Sequence, residues 1–187
     1  MLKLHLLALM VLSVPAMMDA QTPLRDGALG RGTLSFNAKA TMGDFIGTTT
    51  TMTGQMTGGP DLASVRGWVE APVNTLKTGN GRRDRDLNKS MESDKFPTIR
   101  FDLTGVTPGL VRGDTATATL HGTFQIHGVI KTVSLPATVV LHPGAVQVRA
   151  DTPMNLEDYQ ISGLSKMLGV LKMQPDIIVH VDLTFAQ

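Results

Sequence analysis

The chain has 187 residues, a formal charge of +1, 42% apolar and 18% charged residues, and no cysteine. That length supports one domain with a sizeable core, and so apolar and neutral a composition should collapse rather than stay disordered. The charge offers no broad field to DNA, RNA or an anionic membrane surface, while the missing cysteine excludes disulfides, thiolate metal sites and a Cys nucleophile.

The chain begins with Lys3, an apolar run from Leu4 to Val14, and small residues at Ala16 and Ala20. That is the anatomy of a secretory signal peptide, since the run is too short to span a bilayer comfortably. We therefore expect residues 1–20 to be a signal peptide, cleaved after Ala16 or Ala20. Residues 21–187 would form one domain, periplasmic or secreted, with no membrane span left after cleavage.

Beyond it, apolar and polar residues alternate with period two, the signature of half-buried strands. Leu34, Phe36, Ala38 and Ala40 share one face of 33–42. Segment 46–57 reads as a further strand. In 64–73 the apolar set is Val65, Val69, Ala71 and Val73, and in 98–106 it is Ile99, Phe101 and Leu103. Segment 115–126 sets Ala116, Ala118, Leu120, Phe124 and Ile126 against Thr117, Thr119, His121 and Thr123. Segments 129–141 and 145–153 follow. The last stretch alternates Ile177, Val179, Val181, Leu183 and Phe185 with Ile178, His180, Asp182 and Thr184. About eight strands result, separated by turn signals at Gly58-Gly59-Pro60-Asp61, Thr107-Pro108-Gly109, His127-Gly128 and His142-Pro143-Gly144. His127-Gly128 between two apolar runs predicts a tight hairpin. One apolar face per strand fits a two-sheet sandwich or a closed barrel, and the pattern does not choose between them.

Two segments interrupt the strands. Residues 80–95 contain five basic and four acidic residues and read as a polar helix or capping loop, with Leu87 and Met91 as one narrow apolar stripe. Residues 161–172 place Leu164, Met167, Leu168 and Leu171 at helical spacing, weakened by Gly163 and Gly169. Either helix would lie at an end of the sheet.

Signs of catalysis are sparse. There is no Gly-x-Ser-x-Gly elbow and no His-Glu-x-x-His helix. His121 and His180 fall on outward strand faces, His127 and His142 fall in turns, and no His spacing resembles a metal-ligand motif. We expect these histidines to be solvated. The run Thr78-Gly79-Asn80-Gly81-Arg82-Arg83 puts glycine-rich backbone before a basic helix start, an arrangement that favours an anion. It lacks the Lys-Ser/Thr ending of a nucleotide-binding loop. Arg82, Arg83 and Arg85 are therefore candidates for a phosphate headgroup, against the simpler reading of a capped helix tied down by Arg–Asp pairs. Asn88-Lys89-Ser90 matches a glycosylation sequon, a pattern too short to weigh in a helix.

Residues 75–101 carry Thr78-Gly79-Asn80, Arg83-Asp84, Leu87, Phe96-Pro97 and Phe101, and residues 121–139 carry Gly122, Gly128-Val129, Lys131 and Val133. In order and spacing these blocks resemble the YceI-like family. The first strand lacks the His often found there, and 158–164 departs from the family's Asn-Arg and Phe-Gly pattern. The resemblance implies an all-β fold: an eight-stranded antiparallel, lipocalin-like barrel with one or two short helices near its mouth. It also implies a cavity for a polyisoprenoid or other lipid chain, with no catalytic residues and no cofactor beyond such a lipid.

The inward faces are small in places (Ala38, Ala40, Ala71, Ala116, Ala118), which leaves room for a slender ligand, and Met42, Met52, Met56 and Met91 could adapt to it. On this reading Phe36, Val69, Phe101, Leu103, Leu120, Val179 and Leu183 line the cavity. Leu87 and Met91, or Leu164 and Leu168, stand at its mouth. The ligand is a lipid held for transport, storage or sequestration. The competing reading is a scaffold or stress-related protein with a packed barrel core, whose loops meet another protein. Oligomeric state is left open.

Overall fold

A computed structural model of the chain describes residues 23–41, 43–161 and 173–187. The expected signal peptide, Met42, the expected second helix beyond Ile161, and with it Leu164 and Leu168, lie outside the described residues.

The strands are β1 (Gly27–Ala40), β2 (Phe45–Thr49), β3 (Thr53–Thr57), β4 (Arg66–Pro72), β5 (Thr98–Arg112), β6 (Thr115–Ile126), β7 (Val129–His142), β8 (Ala145–Asn155) and β9 (Met173–Ala186). From β3 onward each pairs antiparallel with its successor, and β9 pairs back onto β1 from Ala28↔Ala186 to Ala40↔Met173. That closure decides the question the alternation left open. The sheet is a barrel, and closing it removes the free edges that a sandwich would have to protect.

β2 and β3 lie on the same side of β1, one against Leu34–Ala38 and the other against Gly27 and Ala28. They are two halves of one stave, so the nine strands make eight staves. A single strand over 46–57 is what the alternation predicts. It breaks after Thr49, whose hydroxyl accepts a hydrogen bond from the Thr51 amide at 3.0 Å and so competes with the ladder. Lys77, just beyond β4, then covers the outer edge of β2 by exchanging two backbone hydrogen bonds with Thr48, each 2.9 Å.

A second expectation needs correcting. Thr107-Pro108-Gly109 is no turn but an irregular stretch within β5, where the register slips between Pro108 and Val111. Pro108 has no N–H for the ladder. A Cβ on Gly109 would lie 2.5 Å from the Thr117 hydroxyl oxygen, which accepts from the Leu110 amide at 2.9 Å. The chain reverses instead at Gly113-Asp114, with Gly113 at φ +63°. The His127-Gly128 hairpin is present as expected. Both residues have positive φ, 53° and 76°, as a type I′ turn requires.

The charged segment 80–95 does fold as a helix over its first part, α1 (Gly81–Ser90). Asn80 caps it, its side-chain oxygen accepting from the amides of Arg82 (3.0 Å) and Arg83 (3.2 Å). Leu87 and Met91 are buried, at 7% and 6% exposure, and put the helix across one end of the barrel. A 3-10 turn, Leu156–Tyr159, sits at the same end, while another, Leu62–Ser64, helps cover the opposite end with Leu24.

Candidate functional site

The inward faces do not fill the barrel. Two cavities lie along its axis: an upper one of about 120 Å³ beneath Leu24 and Leu62, and a lower one of about 110 Å³ above α1. Leu34, Ile99, Phe124 and Val181 line both, so they form the junction between two chambers in series. Each chamber is comparable with the ~150 Å³ apolar cavities that stay dry and take a benzene-sized guest. End to end they suit a slender chain better than a bulky ring system.

The residues expected to line the cavity divide between the chambers. Val69, Phe101, Leu103, Leu120 and Leu183 border the upper one, and Phe36 and Val179 border the lower. Leu87 of α1 and Met91, the residue just past its end, also line the lower chamber. Glycines opposite the large rings let them lie flat against the wall. A Cβ on Gly47 would come within 2.2 Å of the Phe36 ring, and one on Gly122 within 2.6 Å of the Phe101 ring. Phe36 meets Phe45 edge-on with centroids 6.1 Å apart, and Phe101 meets Phe124 at 5.0 Å.

The junction residues belong to the alternating inward faces but were not singled out, because alternation gives the face and not the height along the barrel. Leu76, Leu156 and Ile161 line the lower chamber from outside the strands, where no periodicity marks them. Tyr159 is likewise buried, at 3% exposure, from a 3-10 turn. Burial, followed by the nearby Asp158 carboxylate, raises its phenol pKa.

The three candidate headgroup arginines do not converge. Arg83 turns toward the barrel: its guanidinium stacks 4.1 Å above the Phe45 ring and Nη2 donates to the Thr78 carbonyl at 2.8 Å. Arg82 and Arg85 remain exposed on α1. Asp84 faces back to Thr78, accepting from its hydroxyl (2.6 Å) and its amide (2.8 Å). The Thr78 hydroxyl hydrogen bond is the main reason the Asp84 carboxyl is held below its ordinary range.

Of the histidines, His121 lies on the outer face between Thr107 (2.8 Å) and Ser134 (2.9 Å), and His180 there meets Asp151 at 2.6 Å. His127 is not solvated, contrary to expectation. Its side chain is 9% exposed, and its ring packs against Phe96 with centroids 4.8 Å apart. Nδ1 lies 3.0 Å from the Tyr159 carbonyl, which can only accept, so Nδ1 must hold the proton. The tight turn that the sequence does predict is what swings this ring inward. No group of three or more His, Asp or Glu among the described residues is placed to hold a metal ion.

A closed, eight-stave antiparallel barrel, hollow along its axis and capped by one helix, is of the lipocalin-like class. Within that class the chain belongs to the YceI-like family, whose model, described as a YceI-like domain, matches residues 30–185. Among solved structures it is similar to Burkholderia cenocepacia BcnA, with a TM-score of 0.69 and 16% identity over 82% of this chain and 95% of that one. It is equally similar to a polyisoprenoid binding domain from Saccharophagus degradans implicated in plant cell wall breakdown (TM-score 0.68, 16% identity, 85% and 97% coverage). The Campylobacter jejuni YCEI protein aligns with a TM-score of 0.59 and 15% identity over 75% of this chain and 84% of that one. No curated protein matches the chain.

Proposed function

We propose that this protein is an exported, non-enzymatic carrier that holds one slender apolar chain, an isoprenoid or fatty lipid, along the barrel axis. The observation that carries this reading is the pair of apolar chambers meeting at Leu34, Ile99, Phe124 and Val181. Each buried methylene contributes about 0.8 kcal/mol, so roughly ten carbons would gross about 8 kcal/mol before the cost of ordering the chain. No polar contact is needed for that affinity. Phe36, Val69, Phe101, Leu103, Leu120, Val179 and Leu183 would be the ligand's walls, with Leu87 and Met91 as the floor. An anionic headgroup at the helical end would meet Arg82 and Arg85, since Arg83 is engaged by Phe45 and Thr78. The similarity to a polyisoprenoid binding domain supports the ligand class. Export to the periplasm or medium rests on residues 1–20, which have the anatomy of a signal peptide.

The test is native mass spectrometry of protein recovered outside the cytoplasm of a bacterial host, with organic extraction alongside. A bound mass released as an isoprenoid or fatty lipid is the expected result. A bare protein that also refuses added lipid would favour the scaffold reading instead. Retention of the chain inside the cell would overturn export alone.

A further inference from the structure

The barrel wall is not equally well joined all round. β7 and β8 pair only from Ala137↔Ala150 to His142↔Ala145. Below that level β7 continues to Val129 but stays with β6, from Pro136 to Val129, while β8 continues to Asn155 and stays with β9, from Asp151 to Asn155. The two halves of the wall part company at the height of the lower chamber. Its lining agrees: Phe124 and Ile126 of β6 and Met154 of β8 border it, and no residue of β7 does.

What spans the gap is the 3-10 turn Leu156–Tyr159, held to β7 and the hairpin by side chains. Lys131 of β7 pairs with Asp158 at 2.7 Å, and its ammonium lies 5.6 Å from the centre of the Tyr159 ring. His127 Nδ1 donates to the Tyr159 carbonyl at 3.0 Å. The Tyr159 ring itself is buried against the cluster that surrounds the lower chamber.

We propose that this seam is the ligand's entrance, a lateral gate between β7 and β8 in which Tyr159 is the plug and Lys131–Asp158 the latch. The inference rests on the carrier reading and adds to it the route by which an apolar chain reaches the interior. At this level, opening β5 from β6, β6 from β7 or β8 from β9 would break a run of backbone hydrogen bonds. Opening this one breaks a half-exposed ion pair, the hydrogen bond to the Tyr159 carbonyl and the packing of the Tyr159 ring, but no ladder hydrogen bond between β7 and β8. Displacing the turn would expose Met154 and Leu156 to the entering chain, so apolar surface leaves water as the plug moves.

The chain has no cysteine, so a pair can be introduced cleanly. In the Lys131→Cys, Asp158→Cys variant, a short bis-alkylating thiol reagent bridges the gap, and the same variant capped at both thiols with iodoacetamide is the control. Uptake of cis-parinaric acid, a slender fluorescent polyene, is followed by stopped flow. Bridging should slow loading about tenfold or more relative to the capped form, as expected when a gate must move before binding. In a second variant, Tyr159→Ala, loading should be faster than in the wild type. Equal rates for bridged and capped protein would overturn the gate while leaving the carrier reading intact. Absence of binding in every form, wild type included, would overturn the carrier reading and the gate together.

Discussion

Arg83 and Phe45 form a stacked pair, the guanidinium carbon 4.1 Å from the ring centroid, at the point where the helical cap meets the barrel wall. Phe45 in turn meets Phe36, a wall of the lower chamber, edge to face. The most basic stretch of the chain thus spends one of its three arginines on the architecture. Replacing Arg83 by Ala should cost about 1–3 kcal/mol of stability, from the lost stacking and the lost hydrogen bond to the Thr78 carbonyl. The same change at exposed Arg82 or Arg85 should stay within about 0.5 kcal/mol. Urea melts of the three variants separate these outcomes, and equal losses at all three would contradict the division.

Gly47 is fixed by Phe36, since the ring occupies the space of the missing Cβ, 2.2 Å from its ideal position. Gly47→Ala should therefore destabilise by about 1–3 kcal/mol and push the ring into the lower chamber. Thermal melts report the first effect. A fall in parinaric acid affinity in the folded variant reports the second, and unchanged affinity would mean that Phe36 does not shape the bound state.

Val181 borders both chambers. A larger side chain there should close the junction while leaving each chamber in place. Val181→Phe is expected to weaken geranylgeraniol binding roughly tenfold while changing geraniol binding by less than about twofold. Isothermal titration with the two alcohols is the measurement. Equal losses would show that one chamber alone takes the ligand.

Asp84 links stability to pH. Its folded-state pKa is lowered, chiefly by the Thr78 hydroxyl. The unfolded chain therefore takes up this proton first as pH falls. The stabilisation is complete above the unfolded value of about 3.9 and is lost as pH drops through the folded one. Asp84→Asn should cost about 1 kcal/mol at neutral pH, a modest figure because the site is half-exposed and solvent-screened. The gap between wild type and variant should narrow steadily below about pH 4. Denaturation at a series of pH values tests this, and a gap that widens in acid would reverse the sign argued here.

Alternation made the wall of the barrel legible, because a strand residue has only two sides to face and the apolar side must leave water. Phe36, Val69, Phe101, Leu103, Leu120, Val179 and Leu183 all take the inward side for that reason, and the His127-Gly128 turn follows from its residue types. The break at Thr49 and the irregular stretch at Pro108–Leu110 were not legible. They depend on hydroxyl groups competing for backbone amides, one of them reaching from the neighbouring strand. Tyr159 carried no signal, since a residue in a 3-10 turn has no period to follow.

The sequence by itself therefore determined the strand faces, the narrow apolar stripe of Leu87 and Met91 in the charged segment, and the family, all of which rest on local pattern and residue type. Tertiary structure showed the barrel closure that the family resemblance implied and the alternation left open, and it alone decided the division of the interior at Val181 and Phe124, the recruitment of Arg83 by Phe45, and the parting of β7 from β8. Each of those depends on which strand lies beside which and at what height. Long-range register sets that, and a one-dimensional pattern with a period of two contains no record of it.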